Sequence, residues 1–343
     1  MRAVVHSGQG RVRVERVDDP KLSAATDAVV RVRRAAVCGT DLHVLAHPAD
    51  LPAGFVLGHE FAGEVVEVGR DVREHRVGDR VVGADYTACG HCRWCRHGDH
   101  WHCAERRFFG TGSGFGAPLS GAQAELVRVP HADVVLRGLP EEVGYDAAVF
   151  LGDTLATGYA AVVRAGLRPG DTVAVVGGGP VGQLTSLAAQ ACGAGVVVVV
   201  EPVDGRRELA AAEGALVAVP DRAGDLVTQV SEGRGADVVV DAIGGPRGLD
   251  AAYSLVRSRG RVVSVGVHTE DWTLPAGDGF AREVSVQFAI GNLMRDADEL
   301  LGLLRSGAVD PTVVASETVT LDEAPEAYRR MAERRSLKTL IST

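Results

Sequence analysis

The stretch Val173–Leu184, VAVVGGGPVGQL, decides how this chain folds. A continuous apolar run, Val173–Val176, ends in glycines and passes at once into Val181–Cys192, an Ala-rich segment of helical composition. Strand, tight turn and helix in that order are the context in which Gly177-x-Gly179-x-x-Gly182 binds a dinucleotide. Gly177 is expected to make the turn, Gly179 to let the backbone approach a pyrophosphate, and Gly182 to let helix pack closely on strand. Pro180 and Val181 open the helix, whose N-terminal N–H groups and positive partial charge suit phosphates. Glycines cluster in loops of any α/β protein, so the motif counts only because its context is complete. A second buried strand, Val196–Val200, follows the helix and ends in Glu201, nineteen residues after Gly182. A carboxylate there can hydrogen-bond both ribose hydroxyls of NAD and repels the 2′-phosphate of NADP. NAD is the expected cofactor. Arg206 and Arg207 lie just beyond and can receive a phosphate, which keeps NADP open.

Working outward, apolar strands go on alternating with helices. A helix over Arg206–Glu213, a strand at Val238–Asp241, a helix around Leu249–Arg257 and a strand at Val262–Val265 follow in turn, the pattern of a parallel α/β sheet. The first 150 or so residues read differently. Short strands such as Val29–Val32, Glu64–Val68 and Arg80–Val82 are separated by Gly, Pro and Asp turns, the texture of an antiparallel, partly barrel-like β domain. Beyond Ile290 come amphipathic helices, Asp296–Arg305 and Asp322–Arg335, and a closing segment, Lys338–Ile341. The order predicts a nucleotide-type sheet, residues 153–289, inserted into a β-rich domain made of 1–152 and 290–343.

Length and charge narrow the function. A chain of 343 residues is long enough for two domains, each with its own core. A net charge of −9 argues against nucleic acid as the main partner, because phosphate binding needs a basic face. The longest apolar runs are strand-length and far short of the roughly 20 residues of a membrane helix. The opening MRAVVHSGQGRVRVERV alternates like a strand and lacks a signal-peptide core, so cytoplasm is the expected compartment.

Cys89, Cys92, Cys95 and Cys103 crowd into CGHCRWCRHGDHWHC, residues 89–103. Thiolates at this spacing can close on one tetrahedral Zn²⁺, which holds together a loop with little core of its own. A C-x2-C-x2-C run also suits an iron–sulfur cluster. There, however, the fourth cysteine comes after three residues and precedes proline, whereas here the gap is seven and Ala104 follows. Cys38 and Cys192 look like no disulfide pair. His91, His97, His100 and His102 are expected at the surface.

Upstream lie CGTDLH, Cys38 to His43, and GHE, Gly58 to Glu60; downstream lies GDTLATGY, Gly152 to Tyr159. On spacing alone a Cys and a His some twenty residues apart are unremarkable. Together, and with the four-cysteine lobe and the glycine fingerprint in this order, these segments resemble the zinc-dependent alcohol dehydrogenases of the medium-chain dehydrogenase/reductase superfamily, over essentially the whole chain. The resemblance implies a GroES-like β-rich catalytic domain and a Rossmann coenzyme domain with a doubly wound parallel sheet. It implies two zinc ions per chain. Cys38, His59 and Asp153 would hold the catalytic one, with Glu60 able to move in; Cys89, Cys92, Cys95 and Cys103, in a lobe at about residues 86–110, would hold a structural one. Asp153 stands where many members have a second cysteine, which makes the metal site harder.

The resemblance assigns further roles. Asp41 would orient the ligand histidine, and Thr40 and His43 would relay the alcohol proton. Thr157 and Val265-Gly266-Val267 would hold the nicotinamide, and Lys338 would lie near the pyrophosphate. The implied activity is hydride transfer between NAD(P) and the carbinol or carbonyl carbon of a secondary alcohol or polyol, in a homodimer or homotetramer. Asp85, four residues before Cys89, occupies a pocket position that is often hydrophobic, and a carboxylate there would favour a polyol or amino alcohol; an acid at a strand edge pointing away is the plainer alternative. A zinc-free enone or quinone reductase of the superfamily would lack Cys38, His59, Glu60 and Asp153, and a non-catalytic dinucleotide-binding protein would have lost ligands or relay residues; here every such position is filled.

Overall fold

The computed structural model describes residues 1–46 and 51–343. In chain order β1 (Arg2–His6) and β2 (Val12–Arg16) form a hairpin. β3 (Ala28–Val37), β4 (Glu60–Val68), β5 (Arg80–Gly83), β6 (Leu126–Val129) and β7 (Leu136–Gly138) follow. Then come β8 (Thr172–Val176), β9 (Val196–Val200), β10 (Leu216–Ala218), β11 (Ala236–Asp241), β12 (Val256–Ser264) and β13 (Ser285–Phe288), and last β14 (Glu317–Thr320) and β15 (Thr339–Ser342). The chain divides into two compact units: Met1–Asp153 with Asn292–Arg305 and Asp310–Thr343, and Thr154–Gly291 with Ser306–Val309.

The first unit is built on β3. Its ten residues are flanked by β4 on one side and by β6 and β15 on the other, all antiparallel, in a sheet ordered β14-β15-β3-β4-β5-β7. Val29, Val30, Val32 and Ala35 to Val37 are buried, while Arg31 points outward, so the strand alternates only where one face meets water. β15 supplies Leu340 and Ile341 to that core from the far end of the chain.

The second unit is a six-stranded parallel sheet ordered β10-β9-β8-β11-β12-β13. Chain order leaves β8 in opposite directions toward β9 and β11, so β8 marks the switch point at whose C-terminal rim such sheets bind ligands. Both faces are covered by helices, which is why Val173–Val176 and Val197–Val200 are buried without alternation. The helix Pro180–Ala191 starts from Gly179 as N-cap, with Pro180 in the first turn where its missing N–H costs nothing.

Some elements exceed the sequence reading. β12 reaches back to Val256, through Arg257 and Arg259, because Arg257 is engaged by Asp237 (Nε–Oδ1 2.6 Å) at the start of β11. β10 is only three residues long, and the helix Pro220–Val230, whose Ala223, Leu226, Val227 and Val230 share one face on the core, is passed over in the sequence reading. The last helix begins at Ala324, after a tight turn held by a reciprocal Thr320–Glu323 capping box.

Gly177 has φ +101°, which makes the turn glycine's to make, and a Cβ on Gly182 would collide with the Gly177 carbonyl. Gly182→Ala is therefore expected to destabilise the fold by about 1–3 kcal/mol, as overpacking does, read as a lower thermal midpoint with an unchanged far-UV spectrum.

Candidate active site

Cys38 directly follows β3, and Glu60 begins β4; the register that sets Ala36 against Glu60 brings Cys38 beside the His59–Glu60 pair. Asp153 arrives separately, between the helical turn Val149–Leu151 and the helix Thr154–Ala165. Donor atoms of Cys38, His59, Glu60 and Asp153 all lie within 4.8 Å of one another. Cys38 Sγ and His59 Nε2 are each 3.3 Å from Asp153 Oδ2. Two donors on one tetrahedral zinc stand about 3.4–3.6 Å apart, so the set is already at coordination distance.

Histidine makes the sharper test of fit. His59 is fully buried, its Nδ1 faces Asp41 Oδ1 at 3.2 Å off the line of a good hydrogen bond, and neither ring nitrogen bonds a protein group. A buried imidazole with an unused Nε2 aimed at a thiol and two carboxylates fits a metal ligand. Electrostatics agree. Burial opposes charge on His59, yet Asp41, Asp153 and Cys38 more than offset it and raise its pKa well above the usual range. Burial raises the Cys38 thiol as well, with Asp153 and Glu60 adding to it. Asp153 is pulled down to about 2: burial works upward, but His59 and Lys338 prevail. The cluster calls for a cation.

Asp41 is held by more than its place in the sequence suggests. Its Oδ2 accepts the Cys38 amide at 2.9 Å and Gln123 Nε2 at 3.2 Å, and Tyr328 donates its hydroxyl to Gln123 Oε1 at 2.7 Å. Gln123 also donates to the Ala36 carbonyl at 2.9 Å. Tyr328, Gln123 and Asp41 thus form a buried chain behind His59. Sequence reading missed Gln123 and Tyr328, which sit in unrelated segments; the positive φ of Gly58, where a Cβ would strike Gln123, is the local trace of the contact.

Thr40 and His43 stand three residues apart on the helix Gly39–Ala46, with Thr40 Oγ1 3.8 Å from Cys38 Sγ. Asp85 is buried, its amide donating to the Gly152 carbonyl next to Asp153. Burial, and then the Asp153 charge, push its carboxyl well above the ordinary range. It does not point away at a strand edge. Phe108 meets His59 edge-on at 5.2 Å and continues into Phe115 and Trp101, an apolar wall beside the cluster.

The Lys338 side chain is 1% exposed and its ammonium pairs with Glu60 Oε2, which ties it to the donor cluster. Burial would lower it, but Cys38, Glu60 and Asp153 hold it above the usual lysine range. The four cysteines converge as expected, with Sγ–Sγ separations of 3.9 Å (Cys89–Cys95) and 3.5 Å (Cys92–Cys95), near the roughly 3.8 Å of a zinc tetrathiolate. Hydrogen bonds, first among them one from the Cys95 backbone, lower Cys92 to about 7, toward the thiolate a metal needs. His91, His97 and His102 are exposed; His100 is buried, Nδ1 3.1 Å from Asn292 Oδ1, and pins the lobe to the turn before the helix Leu293–Arg305.

In the second unit the glycine loop stands at the C-terminal end of β8. Glu201 is buried and its two oxygens accept the amides of Gly178 (2.7 Å) and Val203 (2.9 Å), each retaining a lone pair. Arg206 Nη1 lies 3.9 Å from Glu201 Oε2. A Cβ on Gly179 would meet open space, whereas one on Gly291 would strike Thr157.

Two family models match: "Alcohol dehydrogenase GroES-like domain" over residues 24–141 and "Zinc-binding dehydrogenase" over residues 180–306. The chain is 38% identical over 330 residues to "Probable zinc-binding alcohol dehydrogenase Rv1895" of Mycobacterium tuberculosis, across 96% of this chain and 84% of that one. The chain belongs to the zinc-dependent alcohol dehydrogenases of the medium-chain dehydrogenase/reductase superfamily. Among solved structures, this alcohol dehydrogenase matches "Alcohol dehydrogenase TADH" from Thermus sp. ATN1 at TM-score 0.96 and 37% identity, covering 100% and 99% of the two chains. The 2R,3R-butanediol dehydrogenase of Bacillus subtilis matches at TM-score 0.86 and 28% identity, covering 100% and 99%. The GroES-like and Rossmann-type architectures expected from the sequence are those of the family, and the dehydrogenase is an NAD(P)- and zinc-dependent oxidoreductase of small-molecule alcohols.

The chain behind His59 gives an expected outcome. Gln123→Ala removes the side-chain amide that donates to Asp41 and should weaken zinc at Cys38 and His59 about 10- to 100-fold, measured by competition with a chromogenic chelator.

Proposed function

We propose that this dehydrogenase oxidises secondary alcohols or polyols with NAD⁺, at a catalytic zinc held by Cys38, His59 and Asp153. The convergence of those donors around the buried, unused Nε2 of His59 is the observation that carries the reading. Zinc bound there would polarise the alcohol or carbonyl oxygen, and nicotinamide would take up or return the hydride. The chain does the rest. Asp41, whose Oδ1 stands 3.2 Å from His59 Nδ1, would favour the tautomer with its proton on Nδ1 and so leave Nε2 for the metal. Thr40 Oγ1, beside Cys38, would accept the substrate hydroxyl's proton while releasing its own toward His43, one turn on, which passes it outward. Lys338 holds Glu60 at the edge of the cluster, where the carboxylate can exchange between ammonium and metal.

Asp85 sets the substrate class. Burial and the Asp153 charge push the Asp85 carboxyl upward, and a carboxyl in this place can hydrogen-bond a second hydroxyl on the carbon next to the carbinol, which supports a vicinal diol or polyol. Glu201, buried at the end of β9, supports NAD over NADP, with Arg206 as the residue that tempers the preference.

The cysteine lobe supports a second, structural zinc, making two per chain, and six free thiols suit a reducing cytoplasm. Residues 1–152 with 290–343 would form the catalytic domain and 153–289 the coenzyme domain. Strand β13 ends its sheet with an edge unpaired among the described residues, and its last residue, Phe288, and Phe280 on the preceding helix are 56% and 89% exposed, which supports self-association of this enzyme into a homo-oligomer.

Metal analysis of purified protein should find near two zinc per chain. Cys38→Ala should lose one zinc and all turnover with an intact fold; Cys95→Ala should lose the other, with lower soluble yield and thermal midpoint. Full activity of Cys38→Ala would sink the zinc mechanism. In a panel of secondary alcohols, vicinal diols and amino alcohols with NAD⁺ and NADP⁺, followed by nicotinamide absorbance, diols with NAD⁺ should give the highest kcat/KM. Asp85→Ala should lower kcat/KM for diols about tenfold or more while leaving simple secondary alcohols little changed.

A further inference from the structure

At the C-terminal rim of the parallel sheet, beside the glycine loop, two segments leave neighbouring strands. Ala242–Gly245 follows β11 and Val265–His268 follows β12. Each exposes one apolar side chain, Ile243 at 55% and Val267 at 44%, and a Cβ on Gly177 would touch Ile243. An apolar shelf thus adjoins the expected pyrophosphate loop, where a flat ring can lie.

Backbones fit tightly here. A Cβ on Gly266 would strike the Gly244 backbone, and one on Gly244 would strike Val267. Gly244 and Gly245 have φ +85° and +69°, so the turn depends on glycine's freedom.

What fastens the two segments together is a chain of hydrogen bonds through His268. Gly245 N–H donates to His268 Nδ1 at 3.0 Å, and His268 Nε2 lies 2.7 Å from Ser264 Oγ. Ser264 Oγ lies 2.7 Å from Asp241 Oδ2, and Asp241 Oδ1 accepts the amides of Ile243 and Gly244 at 2.9 and 3.0 Å. The direction of the chain follows from chemistry. An amide N–H can only donate, so Nδ1 is the acceptor and the neutral ring carries its proton on Nε2. Nε2–H then donates to Ser264, whose own proton goes to the buried carboxylate of Asp241. The imidazole also meets Phe288 edge-on at 5.2 Å, which fixes its plane.

We propose that His268 is a positioning residue for the dinucleotide, latching the Val265–Val267 segment to Gly244–Gly245 so that the Ile243–Val267 shelf is formed before the nucleotide arrives. The inference rests on the nucleotide-binding reading of this unit. Pre-formed, the shelf spares the cofactor the entropy of ordering two loops, so the latch acts on affinity and not on the chemical step.

The test compares His268→Phe, which keeps a ring against Phe288 but neither hydrogen bond, with His268→Gln, whose amide can both accept from Gly245 and donate to Ser264. NADH affinity is read by nucleotide fluorescence and exchange of the Gly245 amide by mass spectrometry. His268→Phe should weaken NADH about tenfold, the order expected for two lost hydrogen bonds, and speed Gly245 exchange; His268→Gln should recover most of both. KM for NAD⁺ should follow, with kcat at saturating cofactor within about twofold of wild type. Should His268→Phe fail to fold, Ser264→Ala, which removes only the central hydroxyl, is expected to shift NADH affinity in the same direction. Wild-type affinity in whichever of these two folds, or a Gln variant no better than Phe, overturns the latch while leaving the nucleotide reading intact. Wild-type protein that binds neither NADH nor NADPH overturns both.

Discussion

Confining several anionic donors in a dry pocket is the constraint on which the catalytic unit depends. Cys38, Glu60, Asp153 and Asp41 all present acceptor or thiolate groups to one small buried volume, and Lys338 is the fixed cation set among them. Charges taken out of water cost several kcal/mol each unless paired, and removing one partner of a buried pair costs about 3–5 kcal/mol. The architecture around the cluster answers that cost. β3 and β4 deliver Cys38, His59 and Glu60 through a single register; Lys338 leads directly into β15, the strand on the other side of β3. Lysine and the proposed metal would share the neutralisation of one site.

The two donor clusters would solve the ligand problem in opposite ways. The cysteine lobe draws all its thiols from residues 89–103, so its geometry is largely local and the metal would hold the loop. The catalytic cluster draws on three separate segments, and the fold must bring its donors together before a metal arrives. A local site braces. A convergent site can leave a coordination position for substrate, because strands and not the metal hold its ligands apart.

How much of this was legible follows the same divide. The glycine loop and the cysteine run announce themselves because their chemistry depends on residues close in sequence; β8, β9 and the helix after Gly179 fall where the apolar runs put them. Cys38, His59 and Asp153 were recognisable through resemblance, since nothing in their spacing encodes the β3–β4 register. Gln123, Tyr328, Ser264 and His268 were invisible for that reason: each acts through a tertiary hydrogen bond to a residue far along the chain. The pairing of Lys338 with Glu60 was not legible, because residues 278 positions apart meet only through the β15–β3–β4 register. His100 was misjudged because its partner, Asn292, lies almost two hundred residues on.

The place of β15 has a consequence for biosynthesis. It pairs with β3 and β14 and carries buried Leu340 and Ile341, yet β3 is translated near the start and β15 only after the whole parallel sheet. On a ribosome the segment Thr154–Gly291 can emerge and fold as one contiguous stretch, while β3 waits with the Arg34–Val37 part of one edge open. Through that interval Glu60 lacks Lys338 as its counter-ion, so the donor cluster is completed last, when the nascent chain delivers Lys338 and β15 together.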